Sequence, residues 1–344
     1  MNNLDFLNAM KAVASAEYNE RIPTATQSNL KDIYTSILTY SATKNEFVET
    51  LLNKVVRTLI NSKYYENPFK FFKKGELPFG MTLESVFADI IKAKDFSDNG
   101  GSEATGLLAV EKPKTKVEYY SQNYRHKYKI SISDERLKSA FMSADGLQTM
   151  TNAIVTSALT SAENDEYLLM KSVLCGENMV EATITGFKDL TNDNDRSKEL
   201  TKQCKTMINK FRFLSDQYNK QGVHTFSLPQ DCVVIVTPET KAMIDVELLA
   251  TAFHLDKAEM EGRLVMIDNF YKINKTSGQA EADDTTLAIV CDKDFVQFYD
   301  SLNHSESFRN PDNLTTNMFF HRWGVVACCG FANAVRLKTD VAGE

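Results

Sequence analysis

The chain has 344 residues, of which 43% are hydrophobic and 25% charged. These are the proportions of a folded protein of about two domains, and they exclude a disordered polyelectrolyte. The net charge of -7 excludes a protein that coats nucleic acid with its whole surface.

Six cysteines occur without a CxxC pair, no apolar run is long enough to span a bilayer, and Met1 to Asp5 lack the features of a secretory signal. The expectation is a reducing, cytoplasmic folding environment with free thiols.

Residues 1–82 read as a helical N-terminal arm. Leu30, Ile33, Tyr34, Ile37 and Leu38 recur at helical spacing, as do Phe47, Leu51, Leu52, Val55, Leu59 and Ile60. Two helices with a break near Ser41 to Thr43 are predicted. They form either an ordinary helical subdomain or an arm that packs on a neighbour. Pro68 and the stretch Leu77 to Gly80 end the helical pattern.

The period changes over residues 83–132. Val86, Ala88 and Ile90 alternate with Phe87, Asp89 and Ile91, so a strand is predicted, followed by a glycine-containing tip at Asp95 to Ser102. The return strand is read at Tyr124 to Ser133. Tyr124, His126, Tyr128, Ile130 and Ile132 share one face; Arg125, Lys127, Lys129, Ser131 and Ser133 share the other. Lys112, Lys114 and Lys116 extend the basic character toward the tip.

A long helix follows. Asp145 with Gln148 resembles a capping box, Leu147, Met150, Ile154, Ala158 and Ala162 form a stripe, and Gly176 is a C-terminal stop. Its length is about 30 residues, or roughly 45 Å. It is either a spine on which other elements hang or simply a long core helix. Thr191 to Ser197 read as a loop, and Leu200, Cys204, Ile208, Phe211, Leu214 and Tyr218 as one face of a second amphipathic helix. A buried strand at Val233 to Val236, a helix from Pro238 through Leu249 and a strand at Leu264 to Ile267 complete a compact α/β unit. Strands are predicted at Leu287 to Cys291 and Phe295 to Tyr299. A polar irregular stretch spans Ser301 to Thr316, and an apolar run closes the chain from Met318 to Leu337.

Catalytic patterns are not found. There is no GxSxG elbow, HExxH, GxGxxG or Walker A motif, and His126, His224, His254, His304 and His321 lie in no catalytic context. Cys328 and Cys329 alternate across a strand and cannot easily share a metal. Asp189 to Asp195 hints at a calcium loop, but the glycine position holds Asn194 and the glutamate position Leu200. No catalytic residue, metal or cofactor is therefore expected, and the chain reads as a non-enzyme. The basic face, with Tyr119, Tyr120, Tyr124 and Tyr128, superficially suits nucleic acid, but Glu111 and Glu118 interrupt it. The preferred reading is an arm whose Lys112, Lys114, Lys116, Arg125, Lys127 and Lys129 dock on an acidic neighbour. Asp283, Asp284, Asp292, Asp294 and Asp300 are the candidate acceptors. A solvated strand face is the plainer alternative.

The order of parts carries a resemblance. A helical arm, a hairpin with a glycine tip, a long helix, an α/β unit and closing strands follow one another. The residues that carry it are Tyr124 to Leu137, Asp145 to Gly176, Val233 to Glu239 and Phe320 to Leu337. This resembles the major capsid proteins of tailed bacteriophages, with the HK97-type α+β fold, in a small podophage-like form without an appended immunoglobulin-like domain.

The resemblance implies an N-terminal arm (1–82), an extended loop (83–132), a peripheral domain with a spine helix (133–196), an axial domain (197–285) and closing strands shared between the two (286–344). It implies hexamers and pentamers of an icosahedral shell around double-stranded DNA. Other copies of the chain, a scaffolding protein and a portal are the expected partners. No membrane is involved, and the product is a virion assembled in the host cytoplasm. An encapsulin-like nanocompartment, another virion component and an enzyme with an unrecognised α/β site remain as alternatives.

Overall fold

A computed structural model describes residues 3–39, 43, 46–47, 50, 65–78, 80–91, 93, 112–142, 146–244, 264–273 and 279–340. Helices α1 (Asn3–Lys11), α2 (Ala16–Arg21) and α3 (Leu30–Thr39) open the chain. Strands β1 (Lys73–Glu76), β2 (Leu83–Ala88), β3 (Thr115–Tyr120) and β4 (Tyr124–Ser133) follow, then α4 (Asp134–Met142) and the long α5 (Gly146–Cys175). Next come β5 (Val180–Ile184), α6 (Asp193–Phe211), β6 (Cys232–Val236), α7 (Pro238–Met243), β7 (Leu264–Met266), β8 (Tyr271–Ile273) and β9 (Ala280–Ala282). The chain closes with β10 (Thr286–Asp292), β11 (Val296–Asn310), β12 (Thr315–Cys328) and β13 (Ala334–Thr339).

The chain divides into two units, and α5, β11 and β12 each contribute residues to both. One unit comprises Met1–Asn67, Tyr124–Tyr167 and Asp300–Gly324. Here the N-terminal helices bury Leu7, Met10, Ile33 and Ile37 against Ile132, Leu137 and Met318. Each such side chain contributes roughly 1.5–3 kcal/mol. Residues 3–39 of the arm thus form a packed helical layer on their own chain.

Helices α1 and α2 fall within the arm read as helical but were not placed individually, because segments of nine and six residues are too short to display a clear periodic stripe. Ser15 starts α2, its hydroxyl accepting from the Tyr18 amide at 3.2 Å. The helix expected from Phe47 to Ile60 lies almost wholly outside the described residues, as does Asp145; the helix expected through Leu249 stops at Met243, where Ile244 takes an extended backbone, and residues 245–249 lie outside the described residues.

The other unit comprises Pro68–Asn123, Leu168–Tyr299 and Val325–Glu344. Its sheet has the order β5-β13-β10-β6-β7. Strand β10 lies antiparallel to β13 and β6, whereas the β13–β5 and β6–β7 pairs are parallel. All five residues of β6 are buried, which is why it reads in sequence as a continuous apolar run. Helix α6 covers this sheet with Leu200, Cys204, Ile208 and Phe211. Arg336 ends α5. Its guanidinium donates to the Leu174 carbonyl at 3.0 Å and the Gly176 carbonyl at 2.9 Å, filling acceptors that a helix C-terminus leaves open.

Three expectations are corrected. The acidic run at Thr191 to Ser197 is not a loop: Asn192 caps α6, its side chain accepting from the Asn194 amide at 3.1 Å, and Asp193 and Asp195 occupy the first turn. Carboxylates there complement the positive end of the helix. The polar stretch from Ser301 is not irregular, since β11 runs on to Asn310. Backbone pairing holds it without an apolar alternation, because much of it faces water. Finally, Tyr124–Ser133 is not the return strand of the hairpin. Strand β2 pairs with β3, Val86 opposite Val117, while β4 pairs with β12, Ser133 opposite Thr315 and Tyr124 opposite Gly324.

Candidate assembly interface

The β2–β3 hairpin has two unlike faces. Outward lie Glu84, Val86 and Ala88, with Thr115, Val117 and Tyr119 opposite them. Val86 is 61% exposed and Tyr119 67%. A two-stranded ribbon is marginal in water by itself, so its other face decides whether it stands.

That inner face is anchored within the same unit. Phe87 packs on Val223, Cys329 and Phe331, its ring 5.6 Å from that of Phe331. The Glu118 carboxylate accepts from the Tyr120 hydroxyl at 2.6 Å, the Gln221 side-chain amide at 2.8 Å and the Gly330 backbone N–H at 2.9 Å. Asp89, just past β2, meets His224 Nδ1 at 2.9 Å. The imidazole beside it holds the Asp89 carboxyl below the usual range, and the Ile90 amide adds to this. The Lys116 ammonium donates to the Gln221 carbonyl. Burial pushes the Tyr120 hydroxyl upward, and Glu118 beside it adds to this, so the group stays a neutral donor.

The basic residues fall into two groups. Lys112, Lys114 and Lys116 are exposed on and just before β3. Arg125, Lys127 and Lys129 are exposed on β4, in the other unit, and lie over the aromatic face of β12. Arg125 sits 5.1 Å from the centre of the Trp323 ring, and Lys127 and Lys129 sit 5.7 and 5.8 Å from that of Phe319. These are cross-strand cation–π contacts, which restrain long side chains while leaving their heads in water.

The acidic candidates differ from one another. Asp283, Asp292 and Asp300 are buried. Asp283 accepts from the Thr285 hydroxyl at 2.5 Å and the Thr286 hydroxyl at 2.6 Å. Asp294 is exposed and pairs with Lys74 at 2.7 Å, and Asp284 is exposed.

The described histidines contact carboxylates or rings. His126 lies 3.7 Å from Asp165, His304 lies 3.1 Å from Glu306, and His321 lies between Phe319 and Trp323. Among the described residues no group of three His, Cys, Asp or Glu could hold a metal ion, and no helix is long and apolar enough to cross a membrane.

Sequence reasoning missed Asp89, Gln221, His224 and Gly330, and treated Glu118 only as an interruption. That interruption was the available signal. Glu118 shares its strand face with Lys116 and Tyr120, and in the fold it meets donors from Tyr120, Gln221 and Gly330.

Comparison with known proteins places this geometry in a family. A family model described as Phi29-like phage major capsid protein matches residues 7–338. The major capsid protein of Bacillus phage PZA is 28% identical over 335 residues, covering 96% of this chain and 72% of that protein. That of Bacillus phage B103 is 29% identical over 344 residues, covering 97% of this chain and 72% of its own. Among solved structures, the capsid of Staphylococcus phage Andhra gives a TM-score of 0.63 at 13% identity, covering 82% of this chain and 87% of that one.

Proposed function

Because the chain belongs to the Phi29-like phage major capsid protein family, we propose that its copies, as hexamers and pentamers, close into an icosahedral shell around double-stranded DNA. The fold is α+β and HK97-like, and the chain is a phage major capsid protein, a structural component of the virion. The family match across residues 7–338 carries this reading.

The assembly partners are other copies of the chain, a scaffolding protein and a portal, and assembly takes place in the host cytoplasm. The domain assignment follows the same analogy, with β4 moved out of the loop: 1–82 as arm, 83–123 as extended loop, 124–196 as peripheral domain, 197–285 as axial domain and 286–344 as closing strands. The extended loop lies across a neighbouring subunit. The exposed apolar face of β2–β3 supports this, since Val86, Val117 and Tyr119 lack cover in the isolated chain.

Lys112, Lys114, Lys116, Arg125, Lys127 and Lys129 supply the basic side of the intersubunit contacts. Asp284 and Asp294, the exposed members of the acidic set that also includes Asp283, Asp292 and Asp300, are the accessible acceptors. Charge complementarity of this kind sets register and encounter more than affinity.

The test is deletion of residues 95–111 followed by electron microscopy of the purified chain. The parent should form closed polyhedral shells, and the deleted chain should remain soluble and form none. Normal shells from the deleted chain would refute the arm. Nuclease-protected nucleic acid inside particles made during infection separates a DNA-filled capsid from a compartment for protein.

A further inference from the structure

The root of the hairpin has a feature that shell building alone does not require. Gly330 lies against Glu118 so closely that a β-carbon there would come 2.4 Å from Glu118 Oε1 and 2.7 Å from Gln221 Cγ. The peptide at Gly330 is held from both sides, its N–H donating to Glu118 at 2.9 Å and its carbonyl accepting from the Gln221 amide at 3.1 Å.

The platform opposite is braced by its own hydrogen bonds. The Asn219 side chain closes the turn to Val223 with two hydrogen bonds, at 2.7 and 2.9 Å, both buried. Gly222 takes a φ of 58°, in the left-handed region that glycine adopts without strain. The hairpin therefore sets one carboxylate into a polar socket beside the apolar Phe87 contact.

We propose that Glu118 is a latch fixing the exit direction of the hairpin from the α/β unit, with Gly330 as its socket, and that this latch determines which shells form. The proposal rests on the reading of the hairpin as an intersubunit arm. A ribbon pivoted at its root moves its far end in proportion to its length. A small change at Glu118 therefore displaces the contacts made with a neighbour. The Asp89–His224 pair and the Phe87–Phe331 contact flank the latch and define the same orientation.

Hydrogen exchange on the soluble full-length chain tests the latch independently of assembly, with electron microscopy of particles as a second readout. Glu118→Ala and Gly330→Ala should each speed exchange in β3 by about tenfold or more, the effect of losing a charge-assisted hydrogen bond from a local opening equilibrium. Exchange in α6 and β10 should stay at parent rates, which establishes that the unit has folded. In a Glu118→Ala, Gln221→Ala background, Gly330→Ala should add less than about twofold, because the atoms its β-carbon would strike are gone.

Both single variants should give irregular or open particles where the parent closes shells. Parent-like exchange in β3 for Gly330→Ala, or a full additional effect in the double background, overturns the socket. Fast exchange combined with parent-like shells overturns the role of the latch in assembly. A parent chain that forms no shells counts against the arm reading instead, while the exchange data still decide the latch.

Discussion

Arg322→Met tests how the first unit is held together. Arg322 Nη1 lies 2.7 Å from Glu166 Oε1 and 3.8 Å from Glu163 Oε1. The Glu166 side chain is 5% exposed and that of Glu163 10%, against 22% for Arg322. Burial works against the Arg322 charge, but Glu166, Glu163 and Asp300 outweigh it and hold the guanidinium above its ordinary value. Glu163 also accepts from the Asn67 amide at 3.2 Å.

Removing the cation leaves two buried carboxylates facing each other with one counter-charge fewer. Breaking a buried pair from one side costs about 3–5 kcal/mol. Residual solvent access at Arg322 places this case at the lower end, about 3 kcal/mol, or roughly a hundredfold in the folded-to-unfolded ratio. The assay is denaturant unfolding of the soluble chain followed by fluorescence of Trp323, the only tryptophan in the sequence, which lies in the same unit. Arg322→Met combined with Glu166→Gln should recover most of the loss, since a neutral amide needs no counter-charge. A loss below about 0.5 kcal/mol, or strictly additive effects of the two substitutions, would refute the reasoning.

Other expectations follow from the same packing. Arg336→Leu should destabilise by about 2 kcal/mol, since the Leu174 carbonyl in α5 and the Gly176 carbonyl just past it lose their donor; faster exchange confined to the last turn of α5 would be the signature. Asp283 and Asp292 should respond to pH with opposite sign. Burial raises Asp283, but the Thr285 and Thr286 hydroxyls, the Thr285 amide and the Lys338 charge together hold its carboxyl below the usual range. Its contribution is therefore present above the unfolded carboxylate range, near pH 4, and is lost as pH falls through the lowered folded value. Asp283→Asn should accordingly be less stable than the parent at pH 7, with a difference that narrows in acid. For Asp292 burial dominates and raises the carboxyl, so stability falls as pH rises from the unfolded carboxylate range, near pH 4, through the raised folded value. Asp292→Asn should be equal to or more stable than the parent at pH 7, measured by thermal unfolding across pH. Burial pushes the Cys204 thiol up to about 12. A thiol reagent at pH 8 should leave Cys204 unmodified in the native chain, and all six cysteines should react after denaturation. Charge reversal at Arg125, Lys127 and Lys129 together should slow particle formation most at low salt, as light scattering would record.

What could be read from the sequence was whatever a local period or a local cap determines. The bounds of α5 came from its stripe and from Gly176, and β6 from its unbroken apolar run. The alternation of β4 came from the two-residue repeat of a strand, with Tyr124 and Ile132 buried and Arg125, Lys127 and Lys129 exposed as expected. Each of these features depends on neighbours a few positions away. The order of such elements sufficed to suggest the HK97-type architecture.

Pairing partners were a different matter. Strand β4 has the pattern of a strand next to anything; only the tertiary structure seats it on β12 instead of the hairpin. The polar half of β11 carries no alternation because its stability comes from backbone bonds to another strand, which leave no trace in its own residues. Glu118 and Gly330 stand 212 positions apart. The side chain that needs donors and the glycine that makes room for it are matched only once the chain has folded. Local periodicity thus determined which segments are helices and strands. Long-range hydrogen bonding and close approach decided which faces meet, and with them where the hairpin leaves the body of the protein.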